Sequence, residues 1–364
     1  MRTSSQCHRA NLVRSGGAAL LAAGVLAASC ILAAPGATAA SVLKGQRPHS
    51  AKWHFDVPTS LALYGTDLFV ANFGESGAGS NTIDEINTST GALVRVISGA
   101  QYKFNTPYDI TVDGGNVFAV NTYYKGPSIT EFNASTGALV RVITSTVDLT
   151  NLSDLTFVGN ALFATDDGSL VEINASNGNI VRVISGPSYD FNGDGAITEV
   201  HNDVFLANYY TKAVTEVNAL NGALVRVISG AGYGFNYPYR IAAVGGDLFV
   251  LNSASVTEID AATGKLVRII QGSAYEFSNT NGLGIGAGVV FVGSEPRFKP
   301  SVVTMIRATT GALIGVVSGT KYQFGSPDAV LVDGTDVFVS NGSANTVTEF
   351  NVVTRSLVRV INGS

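Results

Sequence analysis

Six glutamates, Glu85, Glu131, Glu172, Glu216, Glu258 and Glu349, are each followed ten residues later by an arginine: Arg95, Arg141, Arg182, Arg226, Arg268 and Arg359. A carboxylate beside a guanidinium can serve acid–base or anion-binding chemistry, or it can be a simple ion pair. Ten residues spanning a tight turn place the two side chains opposite each other on one face of a hairpin. Where the series breaks, both partners go together, to Met305 and Gly315. Joint loss is what an ion pair predicts, because either charge alone would be left unpaired. The pairs are read as structural.

A second run with chemical potential is Asp190-Phe-Asn192-Gly-Asp194-Gly195. Oxygen ligands at positions 1, 3 and 5 with Gly at 6 suit calcium. Position 12, which should supply a bidentate carboxylate, is His201, and Phe191-Asn192 repeats Phe104-Asn105 and Phe235-Asn236. Calcium on Asp190, Asn192 and Asp194 is the only cofactor the sequence brings forward. Histidine chemistry is poorly supplied, with His49 and His54 near the start of the fold and His201 in a turn.

These residues sit in a repeat. Thr-Glu-Phe-Asn-Ala-Ser-Thr-Gly-Ala-Leu-Val-Arg-Val-Ile at 130–143 recurs seven times, with its turn at Gly91, Gly137, Gly178, Gly222, Gly264, Gly311 and Arg355. The spacings run from 41 to 47 residues. Each unit holds four short β-branched and aromatic runs bounded by Gly, Asn, Asp and Ser. A period in the forties with four strands per unit predicts an all-β chain, a seven-bladed β-propeller of four-stranded antiparallel blades. Asn72, Asn121, Asn208, Asn252 and Asn341, with Asp166 and Ser294, close the second strands and are read as strand-end caps.

The repeats also act as their own control. Turns joining strands one to two and three to four are short and uniform. The loops joining strands two to three diverge, with Phe73, Tyr123-Tyr124-Lys125, Tyr209-Tyr210-Thr211-Lys212 and Arg297-Phe298-Lys299. Tyrosines 102, 189, 233, 275 and 322 hold one register position and are read as wedges between blades. Variable loops on a rigid scaffold are where binding is placed, so Phe73, Tyr123, Tyr124, Tyr209, Tyr210 and Phe298 are the candidate binding residues. The channel should open on the same face. There the innermost strands begin with Ser60, Asp109, Asp154, Ala196, Arg240, Gly282 and Ala329. Asp109, Asp154 and Arg240 are the unlike members and join the candidate list.

Residues 1–40 read as a secretory signal: Arg2, Arg9 and Arg14, an apolar run over 16–34, then Ala37-Thr38-Ala39. Residues 41–53 form a lead-in whose Ser-Val-Leu-Lys-Gly resembles a strand end and could latch the ring. The propeller is expected over 54–364. Both cysteines, Cys7 and Cys30, fall in the signal, so the exported chain does without disulfides or thiol chemistry. Loss of three arginines and no acid takes the formal charge from −5 to −8, which disfavours nucleic acid and anionic membrane surfaces. A secreted monomer with no membrane insertion after cleavage is expected.

Asp336-Val-Phe-Val-Ser-Asn-Gly-Ser-Ala-Asn-Thr-Val-Thr-Glu-Phe-Asn351 resembles the repeat of the YVTN and NHL-type bacterial β-propellers. That resemblance implies propeller architecture and a habit of binding rather than catalysis, although some relatives in the wider superfamily are lactonases or lyases. The expected function is therefore non-enzymatic binding of a protein, peptide or glycan through the aromatic face. The alternative is a carboxylate-based, metal-assisted hydrolase or lyase at the channel mouth.

Overall fold

The computed structural model describes residues 55–74, 81–122, 126–145, 149–193 and 195–362. In the second repeat, Pro107–Asp113, Asn116–Asn121, Ser128–Asn133 and Leu139–Thr144 form four antiparallel strands, with tight turns after the first and the third. The same order recurs over 58–97, 152–185, 197–228, 240–270, 280–317 and 327–362. Each sheet is built of four strands consecutive in the chain. The molecule is a seven-bladed β-propeller, as the period predicts.

Its core lies between the blades. Seven apolar clusters each join two neighbouring blades, and the last joins blade seven to blade one through Phe338, Val347 and Ile361 against Leu61, Leu68 and Val70. The second strand of every blade contributes one phenylalanine, from Phe69 to Phe338, at most 2% exposed. Each sheet keeps two edge strands, the innermost at the channel and the outermost at the rim, and radial repetition leaves those edges short and protected. Residues 41–53, proposed above as a latch, lie outside the described residues.

The Glu–Arg pairs form as the spacing requires and then do more. Glu85 is the cross-strand partner of Arg95, and its two carboxylate oxygens take Nε at 2.7 Å and Nη2 at 3.0 Å. Arg95 Nη2 also donates 2.7 Å to the Ser135 carbonyl in the next blade. Arg141, Arg182, Arg226 and Arg268 reach forward in the same way, to Ser176, Leu220, Ala262 and Thr309. Arg359 of blade seven donates to Ser89 of blade one and ties the ring shut. Burial pushes the Glu85 carboxyl up to about 7 against the pull of Arg95.

This packing makes the turn glycine obligatory twice over. Gly91 has φ +71°, which L side chains rarely adopt, and a Cβ there would lie 2.7 Å from Arg359 Cδ. Blade six exchanges all three parts. Met305 and Gly315 replace the ion pair, and Arg355 replaces the turn glycine of blade seven, at φ 59°. Its guanidinium donates 3.3 Å to the Ile314 carbonyl and fills the space that a Cβ on Gly315 would need.

The register tyrosines are wedges. Tyr102, Tyr189, Tyr233 and Tyr275 each donate their hydroxyl to the turn-glycine carbonyl of the following blade at 2.6–2.9 Å, and Tyr322 donates to the Arg355 carbonyl. Asn72, Asn121 and Asn252 are fully buried strand-end caps. Each amide nitrogen holds a hydroxyl of the third strand, and each amide oxygen accepts a backbone N–H from the segment leading into the same blade.

Candidate functional site

The channel mouth is where the chain stops repeating. In blades two and three, the innermost strand enters through an irregularity, with Tyr108–Asp109 and Ser153–Asp154 standing between regular pairs. Such bulges re-aim side chains. Asp109 accepts the Ser60 hydroxyl at 2.8 Å on Oδ1 and the Leu155 N–H at 3.2 Å on Oδ2. Asp154 accepts that same Leu155 N–H at 2.8 Å on Oδ1 and the Ile197 N–H at 3.1 Å on Oδ2. Two carboxylates converging on one amide cannot both ionise freely. Burial, then the Asp109 charge and hydrogen bond, hold the Asp154 carboxyl well above the usual range, against the pull of Arg240.

Arg240 opens the innermost strand of blade five and faces the acids of other blades across the axis. Burial opposes its charge, but Tyr108, Asp154, Asp109 and Asp328 together keep it protonated. Its guanidinium lies 5.8 Å from the centre of the Tyr108 ring. Among the described residues it has no ion-pair partner within 4.0 Å and no hydrogen bond from its side chain. Its donors stay available to whatever enters the mouth.

Immediately above lies a pit of about 240 Å³ lined by Tyr108, Ser153, Asp154, Gly195, Ala196, Tyr209, Tyr210, Tyr239 and Arg240. Below it, an axial cavity of about 220 Å³ takes lining from all seven blades and shares Asp154, Ala196 and Arg240 with the pit. The backbone approaches so closely beside the pit that a Cβ on Gly195 would fall 1.4 Å from the Ala207 carbonyl oxygen.

Of the residues singled out from sequence, Asp154, Arg240, Tyr209 and Tyr210 meet in this one pit, and Asp109 lies directly beneath. Tyr209 packs at 4.9 Å on Tyr210 and 5.0 Å on Tyr237, over which Lys212 sits at 4.8 Å. Phe73 reaches the mouth from blade one, with its ring edge-on to Tyr108 at 5.9 Å. Phe298 does not join them. It is 90% exposed on blade six, beside Arg297, and lines a separate surface cleft with Gln271, Glu276 and Phe277. Tyr123 and Tyr124 lie outside the described residues.

Within the calcium-like run, Asp194 also lies outside the described residues. Asp190 and Asn192 use their backbone carbonyls to hold Thr211 and Tyr210, and Gly193 packs under the two tyrosine rings. That segment braces the aromatic loop. No group of three or more His, Cys, Asp or Glu able to hold a metal occurs among the described residues. His201 lies in the turn after Ile197–Val200, away from the mouth.

Three members of the site stand outside the candidate residues named from sequence, although Tyr239 belongs to the inter-blade tyrosines of the same face. Tyr108 and Tyr239 each directly precede a residue chosen as an unlike strand start, and both line the pit. Asp328 stands one place before Ala329, which holds the corresponding repeat position. The irregularity between Pro327 and Ala329 frees Asp328 to face Arg240. Burial pushes its carboxyl up to about 7, against Arg240 and with a further push from Glu295. The available signal was the acid itself, one place early, in a strand that starts with Pro as in blades one and two.

No family model matches the chain, and no curated protein matches its sequence. Among the described residues no helix is long and apolar enough to cross a membrane.

Proposed function

We propose that this chain is an exported, non-enzymatic binding propeller of the YVTN and NHL-like kind, and that it takes a glycan at its channel mouth. The observation that carries this reading is the pit joining Tyr209, Tyr210, Tyr108 and Tyr239 to Asp154 and Arg240. Tyrosine rings offer flat apolar faces with a hydroxyl at the edge, which suits the C–H faces and hydroxyls of a sugar. At about 240 Å³ the pit is smaller than the ~300–1,000 Å³ of sites that enclose drug-sized ligands. It fits one ring better than a folded peptide surface. The basic, apolar and small-residue pattern of 1–40 supports export.

The hydrolase reading rests on the Asp109–Asp154 pair. Each of its four oxygens already accepts a protein hydrogen. Three of those bonds tie one blade to the next, which favours a clamp over a reacting acid and base.

The test is retention of the secreted protein on a panel of immobilised polysaccharides, wild type beside a Tyr209→Ala, Tyr210→Ala variant. Retention of wild type on one or more glycans, with affinity lower by ~1 kcal/mol or more per lost anchor in the variant, is expected. Equal retention of both proteins removes the mouth from the reading, and release of free sugar by the wild type moves it to the hydrolase.

A further inference from the structure

Two features narrow what the mouth can hold. The first is the pairing of a donor and an acceptor on one floor. Arg240 presents guanidinium N–H groups with no protein partner among the described residues, and Asp154 keeps lone pairs beyond those used by Leu155 and Ile197. A ligand carboxylate would satisfy Arg240 but would face Asp154, Asp109 and Asp328. A ligand ammonium would satisfy the acids but would face Arg240. A hydroxyl accepts and donates, so adjacent hydroxyls bridge Arg240 and Asp154 with no net charge brought into a half-buried place.

The second feature is shape. The pit sits at the mouth of the axial cavity rather than along a groove across the face, and both cavities share Asp154, Ala196 and Arg240. Its walls come from blades two, three, four and five. A ligand entering along the axis presents an end. A chain lying across the face would pass over the rim, with its rings above Tyr210, which is 66% exposed, and its hydroxyls away from the floor.

We infer that the channel mouth recognises the terminal unit of a glycan, an uncharged pyranose with free vicinal hydroxyls, one accepting from Arg240 and its neighbour donating to Asp154. The inference rests on the glycan reading above and adds charge and position to it. Tyr209 and Tyr210 then cover one face of the ring, and Tyr239 and Tyr108 flank the buried edge.

The experiment is calorimetric titration of the full secreted chain at pH 7 with oligosaccharides of gluco, galacto and manno series. Within each series the probes share a body and differ in the non-reducing unit: an uncharged hexose, the corresponding hexuronate, or the corresponding 2-amino sugar. A cyclic oligosaccharide of each series supplies a probe with no end. In at least one series the uncharged end should bind tenfold or more tighter than the uronate and the amine, and the cyclic probe should not bind. Arg240→Gln should reduce that affinity at least tenfold, with a thermal melt confirming the fold. Tyr210→Ala, at an exposed position, gives an independent fivefold or larger loss. Preference for the uronate or amine, or equal binding of the cyclic probe, overturns the terminal-sugar inference while the glycan reading stands. Binding of none of the probes in any series, with the panel above also unretained, overturns both.

Discussion

The outer seam and the channel mouth both bring arginine to buried carboxylates, and they do so in opposite ways. On the seam, six arginines each meet one glutamate at full register and go on to a carbonyl of the neighbouring blade. Each has a carboxylate on its own blade and a carbonyl on the next, and the arrangement repeats around the ring. At the mouth, one arginine faces three acids from three blades, pairs with none within 4.0 Å, and has no counterpart elsewhere. Charges that are repeated and satisfied hold a scaffold together. The singular charge of Arg240 keeps its donors without a partner among the described residues. Blade six sharpens the contrast, because a seam can lose its ion pair and still close through Arg355.

The largest effect should come from breaking the seam on one side. Arg141→Ala leaves Glu131 buried without its cation and removes the bond to Ser176. A loss of about 2–3 kcal/mol is expected in chemical denaturation, toward the low side of the ~3–5 kcal/mol for buried pairs because Arg141 is itself partly exposed. Adding Glu131→Met, as blade six does naturally, should recover ~1 kcal/mol or more. No recovery would mean that the bond to the next blade, not the ion pair, carries the seam.

The mouth should announce itself through pH. Asp328 is raised to about 7 in the folded chain, from an ordinary value near 4 when unfolded. Between those values the folded state binds more protons than the unfolded state. Stability is therefore highest below about pH 4 in this respect, falls as pH rises toward 7, and is level above. Asp328→Asn should remove about 2 kcal/mol of that slope after allowance for its partial exposure. Urea midpoints at pH 5, 6, 7 and 8 check it, and an unchanged slope in the variant would assign the titration to another group.

Gly311→Ala tests the turn. With φ +70° and Arg268 Cδ 2.8 Å from the new Cβ, a cost of about 1–2 kcal/mol is expected. The guanidinium of Arg268 should shift, since its bond to Thr309 passes beside the same turn. A thermal melt unchanged from wild type would show that the seam tolerates a side chain there. The smallest effect belongs to Phe298→Ala, which should alter stability by less than ~0.5 kcal/mol and leave ligand affinity at the mouth unchanged. A clear loss of affinity would bring blade six into the site.

Periodicity alone determined the blade count, the strand order, the ten-residue link between glutamate and arginine, and the wedge role of the register tyrosines. These are local: a hairpin sets its own register, and seven copies confirm it. It also picked out Asp109, Asp154, Arg240, Tyr209 and Tyr210 by their failure to repeat. A place at the strand starts already set Asp109, Asp154 and Arg240 at the channel mouth. Only the closed ring decided that Tyr209 and Tyr210 meet Asp154 and Arg240 in one pit while Phe298 does not, because no spacing along the chain encodes distance across an axis. The ring also decided where each seam arginine sends its spare donor, and that Arg355 stands in for the missing pair. Asp328 was hidden for a different reason. Side-chain direction in a strand alternates strictly only while the ladder is regular, and one irregularity after Pro327 turned toward the channel a side chain that a strict repeat alignment passes over.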